Sequence, residues 1–211
     1  METWREELYH HGILGQRWGI RRYQNPDGSL TAAGRKRYGP EDARIISKGT
    51  EIHRISNNKN DTIYDRKKYV SLTDEDNQKW RDYFKEGYAG RDVQLYDIMY
   101  RPAKDLKIAP ATKLGEIFAE DQMKDKAFAQ QTIKDTEYAI NNLGQANPKD
   151  IHDALSYNFA MQTETGKRYI QRLLDMGYDG IEDMHGRNVS KDPIIVFDPQ
   201  KNLKKKSTKE V

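Results

Sequence analysis

The chain has no cysteine. That absence removes disulfide staples, thiolate nucleophiles and cysteine-based zinc sites, and it suits folding in a reducing cytosol. No apolar run approaches the roughly 20 residues a membrane span requires, and the opening METWREELYHHG lacks the hydrophobic stretch of a signal peptide. A chain without membrane association is expected. A surplus of one charge is missing too: 36 Lys+Arg against 33 Asp+Glu leave only +3, which marks neither a dedicated nucleic-acid binder nor an acidic protein. Histidine is sparse and scattered. His10 and His11 are adjacent and so point apart on any regular element, His53, His152 and His185 are far apart in sequence, and no metal site is expected.

What is present points to a folded chain with a thin core. Charged residues make up 33% and the mean hydropathy is -1.02, yet 13 Tyr, 5 Phe and 3 Trp are too many for a disordered tract. The 211 residues allow one full domain and an appendage. Residues 1–40 form the appendage: they are dense in Gly, aromatic and Arg residues, show no sustained period, and close at Pro40. Between Arg17 and Arg37 six basic residues face one acid, Asp27. Residues 41–200 form the domain, and 201–211 read as a lysine-rich tail, whose Lys204–Lys206 run is either solvated or brushes phosphates.

Within the domain, ARIISKGTEIHRIS, YDRKKYVSLT and VQLYDIMYRP have the composition of strands. TDEDNQKWRDYFKEGYA reads as a helix, with acids after Thr73 and Trp80, Tyr83 and Phe84 at i, i+3, i+4. Residues 113–143 carry a broad helical pattern, and Asn147-Pro148 opens another helical stretch through Tyr157. Thr165 to Met176 reads as a helix capped by Gly177, followed by a strand in YDGIEDM, a loop, and a buried strand at IIVF. Strands at both ends around a helical middle predict an α+β fold with a mixed, mostly antiparallel sheet.

Three short stretches carry candidate chemistry. In Ile52-His53-Arg54-Ile55, alternation puts Ile52 and Arg54 on one face; Arg54 either snorkels from an edge or presents its planar fork to phosphate oxygens. In Tyr69-Val70-Ser71-Leu72-Thr73, Thr73 suits a helix cap, while Tyr69, Ser71 and Thr73 share a face that makes a polar ledge for a ribose or amide. Glu182 and Asp183 end a strand beside a glycine-containing loop, as solvated turn residues or as charges over a cleft.

In this order the three stretches resemble the Arg–Ser–Glu ADP-ribosyltransferases over residues 44–200. The resemblance implies an ADP-ribosyltransferase-like fold and NAD as substrate. It implies that Arg54 contacts the NAD phosphates and that Ser71 and Thr73, with Tyr69 beside them, support the nicotinamide half. Glu182 or Asp183 would engage the nicotinamide ribose, with Asp192 ranked behind them. In place of the family's Glu-x-Glu or Gln-x-Glu the chain has Glu182-Asp183. A carboxylate there suits the chemistry, because departure of nicotinamide passes through an oxocarbenium-like state. The closing GYDGI…DPIIVFDP resembles the end of phage-encoded transferase-like domains.

The N-terminal HHGILGQRWGIRRYQNPDGSLTAAGRKRY resembles an element of proteins encoded among phage head and portal genes. This implies a phage protein of the virion or the host cytoplasm. Residues 1–40 would dock on a head or portal component, and the domain would act on a host protein or nucleic acid. The alternative is a non-catalytic virion or head-associated protein that works through contact alone.

Overall fold

A computed structural model of the chain describes residues 39–61, 67–143, 163–183 and 185–211, together with Tyr23, Thr31 and residues 33–34. The N-terminal unit falls almost wholly outside the described residues, as does the helical stretch expected from Asn147 through Tyr157.

Eight strands and five α-helices are described, in an α+β arrangement with a single parallel strand pair. In order they are β1 (Arg44–Ile46), β2 (Ile52–Ser56), β3 (Lys67–Val70), α1 (Asp74–Gly87), β4 (Tyr96–Pro102) and β5 (Leu106–Ala109). Then come α2 (Lys113–Lys124), α3 (Lys126–Leu143), α4 (Glu164–Met176), β6 (Gly180–Glu182), a 3-10 turn at His185–Asn188, β7 (Ile194–Phe197), α5 (Pro199–Asn202) and β8 (Leu203–Glu210). One sheet has the order β1-β5-β6-β7-β3 and the other β2-β4-β8. Among the described strands only β5 and β6 run parallel, and such a pair needs a long crossover; α2, α3 and α4 lie within it.

The cross-strand registers sort the side chains into two cores. On one face of the five-stranded sheet, Ala109, Ile181, Ile195 and Phe197 pack under Leu114, Ile117, Phe118, Phe128, Tyr169 and Leu173 of the helices. On the other face, Ile46, Val70, Leu106, Ile108, Ile194 and Val196 meet Ile52, Ile98, Tyr100 and Leu203 of the three-stranded sheet. The two sheets therefore face one another across an apolar layer. Burying each of these aliphatic side chains contributes about 1.5–3 kcal/mol, which accounts for a stable fold despite the hydrophilic composition. At Gly180 the strands approach so closely that a Cβ would lie 2.5 Å from the Ile195 carbonyl oxygen.

Several expectations hold in detail. Thr73 caps α1, its hydroxyl accepting from the Asp76 amide at 3.2 Å, and Gly177 ends α4 in the left-handed region at φ 96°. Others are corrected. ARIISKGTEIHRIS is two strands in different sheets, because the turn around Gly49 (φ 85°) reverses the chain. The helical stretch 113–143 is two helices, broken at Asp125. The aromatic side of α1 is not its buried one: Asp76 and Asn77 are buried, while Tyr83 is 48% exposed.

The largest correction concerns the lysine-rich end. Residues 203–210 are no loose tail; they form β8 and pair along β4 from Pro102 to Tyr96. Pairing uses the main chain, so a run of lysines is no obstacle on an edge strand whose side chains stay in water.

Candidate functional site

The layer between the sheets becomes polar at two places. The first is built around Arg54. Register with β4 sets Ile52, Arg54 and Ser56 opposite Tyr100, Ile98 and Tyr96, and Ile52, Ile98 and Tyr100 belong to the inter-sheet core, so Arg54 lies on the inward face. Its Nε donates to Asp61 Oδ1 at 3.2 Å and its Nη1 to the Tyr69 carbonyl oxygen at 3.2 Å, so a residue of one sheet is fastened to the main chain of the other.

Asp61 is buried and sits at φ 45°, a left-handed conformation that aspartate tolerates better than most residues. Its carboxylate also accepts from Lys68 Nζ and from the Tyr100 hydroxyl. Lys68 is buried too, donates to the Tyr100 hydroxyl at 3.0 Å, and lies over the Tyr100 ring. Nearby, Lys205 of β8 donates to the carbonyls of Lys59 at 2.8 Å and Asn60 at 3.3 Å.

Burial pushes the Asp61 carboxyl up, but Arg54, Lys68 and Tyr100 together hold it below the usual aspartate range. Burial also pushes Lys68 down, as do the charges of Arg54 and Lys205, and Asp61 does not fully offset them. Three donors converge on the two oxygens of Asp61 and hold its carboxylate in the charged form. Two cations share one carboxylate, so the cluster keeps a net positive charge facing the gap. Tyr100 is raised by burial and by Asp61, and stays a neutral donor.

The second polar place is acidic. On β6, Glu182 pairs with Ile194 of β7, which pairs with Val70 of β3. Side chains in such a row share a face, and Ile194 and Val70 belong to the inter-sheet core, so Glu182 lies on the face of its sheet that turns toward the three-stranded sheet. Two strand spacings, roughly 10 Å, separate Glu182 from Val70, the neighbour of the residue that holds Arg54. The Glu182 carboxylate is half-buried, 3.8 Å from Arg44 and 3.5 Å from Arg187. Arg44 is itself held by Asp192 in a two-pronged pair at 2.6 and 2.7 Å, and Asp192 raises the Arg44 pKa.

The remaining expected residues are placed differently. Asp183, one position on, is buried; its Oδ2 accepts from the Gly186 amide at 3.0 Å and so holds the 3-10 turn. Ser71 is buried, and its main chain exchanges hydrogen bonds with His53 at 2.9 and 2.7 Å, closing the seam between the sheets. Thr73 is exposed and spends its hydroxyl on the α1 cap. Tyr69 packs against the helix-side core, so the residues of β3 that face the gap are Lys68 and Val70. The shared polar ledge of Tyr69, Ser71 and Thr73 is therefore not formed by the Tyr69 and Thr73 side chains.

The sequence reading missed Asp61, Lys68 and Tyr100 around Arg54, and Arg44 beside Glu182. Asp61 follows Asn58-Lys59-Asn60, which reads as an ordinary turn, and Tyr100 reads as a strand aromatic. Lys68 alone carried a signal: it alternates with Val70, and a lysine on the buried face of a strand needs a partner. Among the described residues, no group of three or more His, Asp or Glu is arranged to hold a metal ion. No family model, no curated protein and no solved structure matches the chain.

Proposed function

We propose that the chain is a phage mono-ADP-ribosyltransferase with an ADP-ribosyltransferase-like fold, which binds NAD in the gap between the sheets and modifies a host macromolecule. One observation supports it above the rest: Arg54 on the three-stranded sheet and Glu182 on the five-stranded sheet lie on the faces that the two sheets turn toward each other, with Glu182 two strand spacings from Val70, next to the Tyr69 carbonyl that holds Arg54. Arg54, whose cluster holds two cations against the single carboxylate of Asp61, suits the pyrophosphate. Glu182 suits the ribose carbon that gains positive charge as neutral nicotinamide leaves. Ser71, at the seam beside His53, would line the nicotinamide end. Asp183 supports the loop that follows Glu182 and is not assigned to the chemistry. Residues 1–40 dock on a head or portal component, so the protein travels in the virion and acts in the host cytoplasm.

The test is transfer of label from adenine-labelled NAD to the proteins and nucleic acids of a bacterial lysate, with free nicotinamide measured alongside. Label on a discrete target, lost in Arg54→Ala and in Glu182→Gln, supports the transferase. Nicotinamide without label makes the protein an NAD hydrolase. Neither signal from the folded protein favours the second reading, a non-catalytic virion component. A specific observation speaks for that reading: two guanidinium groups lie within 4 Å of the Glu182 carboxylate, as in a structural ion pair.

A further inference from the structure

Charge is segregated in the fold in a way the near-neutral total conceals. Residues 41–200 hold 24 Lys+Arg against 28 Asp+Glu, whereas residues 201–211 hold five lysines against Glu210. Most of that last segment is β8, which among the described residues lies at the edge of the three-stranded sheet and pairs only with β4. A net positive edge is thus attached to a net negative body.

The lysines of β8 are disposed around the strand. Register puts Lys204 opposite Arg101 and Lys209 opposite Asp97, on the outward face, while Lys205 opposite Tyr100 turns toward the Arg54 cluster. Lys206 falls at the irregularity between Met99 and Tyr100. All four are exposed, and among the described residues Lys204, Lys206 and Lys209 form no ion pair. An edge needs one or two lysines to discourage pairing with another sheet. Lys204 is set directly across from Arg101, whose own partner is Glu51, and Lys209 across from Asp97.

We infer that β8 is a docking edge for the phosphate backbone of nucleic acid. Lys204, Lys206 and Lys209 span five residues of the strand, roughly 16 Å at about 3.3 Å per residue, so the cations are spread along the edge rather than gathered at a single point. Charge on more than one side of the strand suits a polyanion held by phosphate neutralisation, with no base-specific contact. This surface does not depend on the NAD reading and is measured without NAD.

The experiment is fluorescence anisotropy of the full chain with a labelled 20-nucleotide single strand and with the corresponding duplex, between 50 and 200 mM salt. Three phosphate contacts predict that affinity falls roughly 20-fold for the single strand and roughly 40-fold for the duplex over that range. Lys204→Gln, Lys206→Gln and Lys209→Gln combined should weaken binding and lower the salt slope by about two to three. The triple Lys→Arg variant should bind as the wild type does. An Arg21→Gln, Arg22→Gln variant separates β8 from the basic N-terminal unit: it should leave the salt slope unchanged, and a loss of about two would move the binding to that unit. Wild-type affinity in the triple glutamine variant, with an unchanged thermal midpoint, would overturn the assignment. So would a labelled polyglutamate peptide that binds through the same lysines while neither oligonucleotide binds.

Discussion

Replacing Asp61 with asparagine removes one charge at the centre of the Arg54 cluster and leaves nearly everything else in place. Asparagine tolerates the left-handed φ of 45°, so backbone strain does not confuse the result. The side chains of Lys68 and Asp61 are 3% and 5% exposed, whereas that of Arg54 is 26% exposed and keeps part of its hydration. The loss therefore falls mainly on Lys68, left as a buried cation without an acid. Breaking such a pair from one side costs about 3–5 kcal/mol, and the lower end applies because the amide oxygen still accepts one donor. In urea, with a slope of about 1–3 kcal/mol per M, this lowers the unfolding midpoint by at least about 1 M.

Two controls sharpen the prediction. Asp61→Asn combined with Lys68→Met should be more stable than Asp61→Asn alone, because the uncompensated cation is gone. Asp61 has a folded pKa below its unfolded value, so its contribution is complete above about pH 4–5 and is lost as pH falls through the folded value. The stability gap between wild type and Asp61→Asn should accordingly narrow below about pH 4. A loss under about 1 kcal/mol at neutral pH, or a gap unaffected by acid, would refute the buried charge cluster.

Asp183→Asn keeps an acceptor for the Gly186 amide and should retain NAD turnover, while Asp183→Ala should cost about 1–3 kcal/mol in urea unfolding. Turnover abolished in a stable Asp183→Asn protein would instead make Asp183 the reacting carboxylate. Gly180→Ala would drive a Cβ to 2.5 Å from the Ile195 carbonyl oxygen and 2.8 Å from Ile108 Cδ1. A loss of about 2 kcal/mol should follow, seen in calorimetry as a fall of roughly 4–8 °C in Tm.

The parts of the fold legible in the sequence are those whose signals are local. Thr73 followed by three acids, Gly177 after a periodic helix, and the apolar run Ile194-Ile195-Val196-Phe197 each announce an element within a few residues. Leu106–Ala109 was not legible, because the alternation Leu106-Lys107-Ile108 is too short to stand out, and its strand character comes from β1 and β6 on either side. β8 was hidden by its charge, since a lysine run resembles a solvated tail until a partner strand is known. At the site, Arg54 and Glu182 were legible as polar residues on strands. Their shared gap was not, because it depends on registers running from β6 through β7 to β3. Asp61 gained its meaning only from long-range partners, Tyr100 above all.

The central claim, that NAD occupies the gap between the sheets, is tested most directly by hydrogen exchange of the full chain with and without saturating NAD. The account predicts slower exchange in peptides covering Ile52–Ser56, Lys67–Ser71 and Gly180–Asn188, and no change in Lys113–Lys124 or Glu164–Met176 on the far side of the five-stranded sheet. Protection confined to those helices, or none at NAD concentrations that support turnover, would contradict it.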